Sequence, residues 1–139
     1  MILLDTNVLI YASDNSSPFH AWALEIIAES VSEGKAVINA VCLAELCVGE
    51  VEVEAVANRI RQWGITISDV PAAAAVPCAL AYRKFRERRW SESGKQSPPM
   101  PLPDFFIGAH AMIMGWEVAT ADRGRFSSYF PTVPLRTPS

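Results

Sequence analysis

Ile2-Leu3-Leu4-Asp5-Thr6-Asn7-Val8-Leu9-Ile10 holds two structural elements with a carboxylate between them. The apolar run Ile2–Leu4 reads as a buried strand. The second apolar stretch, after two small polar residues, reads as a helix beginning at Thr6 or Asn7. Asp5 therefore arrives at the carboxyl end of a strand, the edge where open α/β sheets gather their chemistry.

Working outward, the pattern repeats. Further strands are expected at Ala36–Asn39, 65–68, Glu117–Ala119 and, with a weaker pattern, 133–135. Helices fill the gaps. Phe19, Trp22, Ala23, Ile26, Ile27 and Val31 follow the i, i+3, i+4 rule up to Gly34. Residues 41–49 and 53–63 read as two more helices, the second stopped by Gly64. Pro71 can open a long helix to about Trp90, with Pro77 near its first turns or at a kink. The stretch 91–103, with Ser, Gly, Lys and four prolines, reads as a loop, and Pro103 starts a helix to Met114 or Gly115. Strands alternating with helices predict a parallel sheet covered on both faces, a three-layer α/β/α sandwich. No internal repeat is visible.

Length and composition bound the function. A chain of 139 residues fits a single domain, 1–139, with a substantial core. It is 50% hydrophobic and 19% charged, which excludes disorder. The longest apolar run, 105–116, is interrupted by Gly108 and His110 and is too short to span a bilayer. No basic stretch precedes the first apolar segment, so a signal peptide is not expected. Cys42, Cys47 and Cys78 fit no CxxC pattern, which predicts reduced thiols in a cytoplasmic protein. A net charge of −3 gives no global attraction to nucleic acid, so any such attraction needs a local patch or a bound cation.

Four acids fall at comparable places. Asp5 ends the first strand, and Glu45 lies in a helix after the second, among apolar neighbours where an unpaired glutamate is expensive. Asp104 opens the helix after Pro103, and Asp122 follows the strand 117–119. Each has an ordinary reading: a helix cap for Asp5, an arginine pair for Glu45, a first-turn helix charge for Asp104, a turn former for Asp122. Gathered at one sheet edge, however, each pair would cost about 3 kcal/mol at ~5 Å and an effective dielectric near 20. A bound cation answers all four at once. Hard oxygen donors without a His or Cys set favour Mg²⁺ or Mn²⁺ over zinc, and such ions support phosphodiester hydrolysis.

Leu4-Asp5-Thr6-Asn7-Val8-Leu9, then Leu43-Ala44-Glu45-Leu46, then Pro103-Asp104-Phe105-Phe106-Ile107-Gly108-Ala109-His110-Ala111, then Thr120-Ala121-Asp122 with Phe126 downstream, form an ordered set across most of the chain. In that order and spacing the sequence resembles a PIN domain, of the size of a VapC-type toxin. The resemblance implies a parallel sheet of strand order 3-2-1-4-5 and a Mg²⁺- or Mn²⁺-dependent endoribonuclease. It also implies a homodimer, held inactive by a cognate antitoxin that occludes the acidic groove. Asp5, Glu45, Asp104 and Asp122 match the family's acidic quartet. Asn7 and Thr120 match the polar positions that orient the acids or the attacking water. Asn39 and Cys42 depart from the family, standing where small hydroxyl residues are usual.

Other features keep two readings. Arg83, Lys84, Arg86, Arg88 and Arg89 make either a solvated helix end or a phosphate-tracking surface for RNA. Arg123 and Arg125, beside Asp122, can meet phosphate or pair with neighbouring acids. His110 lies six residues beyond Asp104, about 600° of helical rotation, so it is expected to pack or face a partner rather than act as a base. The apolar residues Cys47, Val48, Val51 and Val53, with Ala72 to Ala75 and Leu80, suggest a subunit interface. Two other functions compete with the ribonuclease. One is a degenerate module that only binds protein or RNA. The other is a phospho-aspartate phosphatase, which would want an acid where Asn7 stands.

Overall fold

The computed structural model describes residues 1–93 and 102–139. In chain order these form β1 (Ile2–Leu4), α1 (Thr6–Ala12), α2 (His20–Ser32), β2 (Ala36–Asn39), α3 (Ala40–Val48), α4 (Val53–Gln62) and β3 (Thr66–Ser68). A short 3-10 turn (Ala72–Ala74) leads to α5 (Ala75–Ser93), followed by α6 (Leu102–Met114), β4 (Glu117–Ala119), α7 (Arg123–Tyr129) and β5 (Leu135–Arg136).

The strands make one parallel sheet of order β3-β2-β1-β4-β5. The apolar run of β1 explains its central position: Ile2, Leu3 and Leu4 have no exposed surface, as a strand flanked by neighbours and covered on both faces requires. Right-handed crossovers in this order put α1 to α4 on one face and α5 to α7 on the other. Accordingly α1 packs on α2 and α3, and α5 packs on α6 and α7. The chain order reverses at β1, between β2 and β4, and this switch point opens a crevice at the carboxyl edge. Asp5 and Thr120 are the residues that emerge there from β1 and β4.

Several boundaries differ from expectation, each for a local reason. Ile65 belongs to the close of α4 rather than to β3. Its N–H donates to the Ile60 carbonyl after Gly64 turns the chain at φ +89°. Val133 is likewise part of a turn, donating to the Phe130 carbonyl, so β5 begins two residues later than expected. Pro71 caps the 3-10 turn instead of opening the long helix. Pro77 then falls in the first turn of α5, where its missing N–H has no intrahelical partner to lose. The stretch 91–103 is not wholly loop: α5 continues to Ser93 and α6 starts at Leu102, while 94–101 lie outside the described residues.

The helix that carries Asp104 is seated by aromatic packing. The Phe105 ring meets Tyr82 at 5.3 Å, Tyr129 at 5.5 Å and Phe85 at 5.6 Å between centroids. Gly108, one turn on, leaves the space that the Phe130 ring fills, and a Cβ there would collide with that ring. Rigid apposition of α6 and α7 sets the distance between Asp104 and the residues of the β4–α7 junction.

Candidate metal centre at the carboxyl edge

Asp5 occupies the N-cap position of α1, yet its side chain makes no capping hydrogen bond. Its carboxylate, only 3% exposed, turns instead across the switch point. There Oδ2 accepts from the Thr120 hydroxyl at 2.9 Å and faces the Arg125 guanidinium at 3.6 Å. The ordinary reading of Asp5 as a helix cap is therefore not the one this junction uses.

Thr120, fully buried at the end of β4, serves two acids. Its Oγ1 donates to Asp5 and accepts from the backbone N–H of Asp122 at 3.0 Å. Asp122 caps α7: its Oδ1 accepts from the Arg125 backbone N–H at 3.2 Å, and its carboxylate is 56% exposed. Asp104 sits in the first turn of α6 with its side chain 15% exposed. Glu45 is exposed as a whole residue but sits at the rim of an apolar groove, and its part-buried carboxylate accepts from Thr6 Oγ1 at 2.8 Å. Asn7 lines a cavity of about 160 Å³ together with Asp5, Tyr11, Phe19, Asp122 and Arg125.

The residue that sequence reading left undecided, Arg125, is at the centre. Its Nε lies 3.2 Å from Asp122 Oδ2, Nη1 3.3 Å from Asp104 Oδ1 and Nη2 3.6 Å from Asp5 Oδ2. Three of the four acids thus converge on one guanidinium, with Glu45 joined to the group through Thr6 beside Asp5. The guanidinium stands between the acids, and among the described residues no three Asp, Glu, His or Cys side chains form a closed ligand set. Arg123 points elsewhere, donating to Thr137 Oγ1 at 2.7 Å.

One guanidinium does not neutralise this cluster. Burial first, and the charge of Asp104 after it, raise the Asp5 carboxyl above the usual range against the pull of Arg125 and the Thr120 hydrogen bond. Burial also raises Asp104, against the pull of Arg125 and with repulsion from Asp122. Glu45 is raised by burial first, then by the charges of Asp104 and Asp5, despite the Thr6 hydrogen bond. All three hold a negative charge less comfortably than a free carboxylate, first because they are withdrawn from water and then because they repel one another. The donors are hard carboxylate oxygens with no thiolate or imidazole among them, which fits Mg²⁺ or Mn²⁺.

The neighbouring departures have structural duties. Asn39 caps α3 through its Oδ1, which accepts from the Cys42 N–H at 3.0 Å, and its amide meets His110 Nδ1 at 3.2 Å. His110 is buried against Trp116, 4.9 Å between ring centroids, and does not reach the acids. Sequence reading missed the Thr6–Glu45 bond. A hydroxyl directly after Asp5, on the first turn of α1, was its visible signal.

A family model for the PIN domain matches residues 2–129. The chain belongs to the PIN domain family. Among solved structures it is similar to the VapBC2 complex of Rickettsia felis bound to a promoter DNA fragment, at 21% identity and a TM-score of 0.62, with 100% of both chains covered. A toxin–antitoxin complex from Klebsiella pneumoniae matches at 20% identity and a TM-score of 0.66, covering 100% of this chain and 98% of that one. VapC20 of Mycobacterium tuberculosis, described as a sarcin–ricin loop cleaving toxin, matches at 17% identity and a TM-score of 0.60, covering 92% and 94%. At such identities the likeness speaks to fold. No curated protein matches the chain in sequence.

Proposed function

We propose that this chain is a Mg²⁺- or Mn²⁺-dependent endoribonuclease, the toxin of a toxin–antitoxin pair. The observation that carries the reading is Asp5: a buried carboxylate at the switch point, released from helix capping and facing Asp104 across an excess of negative charge. Asp5, Asp104 and Glu45 would hold the ion, with Asp122 at its outer side. A divalent ion bound there supplies Lewis acidity, activating water and offsetting the charge that develops on the scissile phosphate. The chain's own groups prepare for this. The Thr120 hydroxyl fixes the rotamer of Asp5 by occupying Oδ2, and Thr6 does the same for Glu45 at Oε1. Asn7, in the cavity beside Asp5, would orient the attacking water.

Membership of the PIN domain family supports this reading, as do the toxin–antitoxin proteins that share the fold. A catalytically degenerate binding module is the competing reading, and the ion pairs of Arg125 favour it, since they give the acids a structural partner. Against it stands the gathering of Asp5, Asp104 and Asp122 around a single guanidinium, three acids to one positive charge. Cleavage of labelled RNA decides between them. The ribonuclease loses cleavage in EDTA and regains it with Mg²⁺ or Mn²⁺, and absence of any metal-dependent cleavage would reject it.

Partners follow from the surface. A groove of about 420 Å³ beside Glu45, lined by Leu9, Ile10, Leu46, Val56, Ile60 and Trp63, suits an apolar antitoxin segment carrying a basic residue to the acids. Val48, Val51, Val76 and Leu80 are 87%, 99%, 67% and 57% exposed, and a homodimer would cover such apolar surface. Arg83, Lys84 and Arg86 are exposed on α5, which packs against the helices bearing Asp104 and Asp122, a placement suited to RNA phosphates. Light scattering at micromolar concentration is expected to return twice the monomer mass. Among the described residues no helix is long and apolar enough to cross a membrane.

A further inference from the structure

Two arginines of this protein meet carboxylates in different ways. Arg136 is seated as a structural ion pair. Its Nε donates to Glu117 Oε1 at 3.0 Å and its Nη2 to Oε2 at 3.4 Å, a two-pronged grip on one carboxylate, while Nη1 donates to Glu29 Oε1 at 3.3 Å. Arg125 touches three carboxylates and grips none. Its contacts, 3.2 to 3.6 Å, go one nitrogen to each carboxylate, with no paired hydrogen bonds to any of them. Its Nε is buried without a hydrogen-bond partner. A largely buried cation bonded this loosely is held by the local field rather than by directed bonds.

We infer that Arg125 is a resident counter-cation that a divalent metal displaces: guanidinium and metal occupy the space between Asp5, Asp104 and Asp122 in alternation. This rests on the proposed metal site and goes beyond it by making the chain's own arginine a competitor for that site. The charge argument is direct. An ion of charge +2 at the same carboxylates offers twice the Coulomb attraction of the guanidinium it replaces. With the guanidinium gone, Asp5 and Asp104, which meet its two terminal nitrogens, would share one ion. The arginine also has somewhere to go. The cavity of about 160 Å³ between α1 and α7 is lined by Asp5 and Asp122 as well as by Arg125, Asn7, Tyr11 and Phe19, so the side chain that leaves the acids turns out towards solvent on the side of the exposed Asp122. Arg125 starts from the first turn of α7, so its long side chain can pivot there without moving the helix. The metal-free acids would thus be kept from full mutual repulsion, at the cost of a weaker apparent metal affinity.

The buried Nε supplies a probe in the wild-type protein. By ¹⁵N NMR, the Arg125 Nε–H should exchange slowly with solvent in EDTA and at least about tenfold faster at saturating Mg²⁺, while backbone amides of Asp5, Asp104 and Asp122 shift. Amide shifts with an Nε–H that stays protected would overturn displacement and leave the metal site standing. No amide shift at any Mg²⁺ or Mn²⁺ concentration would overturn both. Calorimetry on Arg125→Met and Arg125→Lys supplies the second readout. Removing the charge should tighten Mn²⁺ binding at least about tenfold, with Lys nearer to wild type. Unchanged or weaker binding by Arg125→Met would make Arg125 a helper of the site rather than its competitor. Should Arg125→Met fail to fold in EDTA, the same comparison is made with Arg125→Lys, whose more compact, more strongly hydrated charge predicts tighter Mn²⁺ binding than wild type, and equal or weaker binding would again reject competition.

Discussion

The β1–α1 and β4–α7 junctions present an aspartate at the same point of the local fold and use it differently. Both follow a buried strand and stand at the N-cap of a helix. Asp122 accepts the Arg125 backbone N–H, as a capping residue should, and stays more than half exposed. Asp5 caps nothing, is buried, and takes its hydrogen bond from Thr120 on the other junction. The difference follows from sheet position. β1 is central, so its carboxyl end opens into the crevice where the chain order reverses, whereas α7 follows β4 one strand further out. A capping carboxylate is already satisfied by the backbone. One that is buried without capping retains a demand for positive charge, and Asp5 is the place to look for function.

The largest expected effect breaks the comparison at Asp5. Asp5→Asn should lower RNA cleavage about a hundredfold or more, because a metal site supplies several kcal/mol of transition-state stabilisation. In metal-free buffer its melting temperature should be equal to or above that of wild type, since one repelling charge is gone. Unfolding of this variant would make Asp5 structural. Thr120→Val cuts the link between the two junctions. Loss of an orienting group of this kind costs about 10–100-fold in metal affinity or activity, so cleavage should fall in that range with the fold retained by circular dichroism.

Gly108→Ala tests whether α6 and α7 must approach this closely. The added methyl meets the Phe130 ring and should cost about 1–3 kcal/mol in denaturant unfolding. Asp122→Ala, by contrast, removes a cap and should cost about 1 kcal/mol, while Asp122→Asn, a good cap, should cost little. Equal losses for Ala and Asn would show that the charge of Asp122, not its capping, stabilises α7.

The smallest effect is in pH dependence. The Asp5 carboxyl is raised above its ordinary 3.8, so between that value and the raised one the native protein binds more protons than the unfolded chain. Stability in EDTA then falls as pH rises through this window. Asn does not titrate, so the stability of Asp5→Asn relative to wild type should grow from pH 4 upward and level off above the raised value. A difference that shrinks with rising pH would mean that Arg125 outweighs burial.

Much of the fold was legible because its signals are local. Ile2–Leu4 is apolar on both faces, which only a central strand needs, and Asp5 follows it at once. The strand order came from resemblance, since periodicity does not order strands. Pro71 and Pro103 misled because proline tolerates several positions near a helix start. At the candidate site, the four acids could be read from placement, but their connections could not. Whether Arg125 reaches phosphate or carboxylate depends on how α7 docks against α6, which the aromatic cluster around Phe105 decides at long range. Glu45 keeps apolar neighbours along the groove, but which partner its carboxylate finds, Thr6, depends on the docking of α3 against α1.

Calorimetric titration of Mn²⁺ into wild type, Asp5→Asn and Asp122→Asn tests the central claim most directly, because it reads the demand for a cation at each junction without depending on an RNA substrate. Wild type should bind, Asp5→Asn should show only heat of dilution, and Asp122→Asn should bind within about tenfold of wild type. Binding by Asp5→Asn equal to that of wild type, or no binding by wild type, would contradict the account.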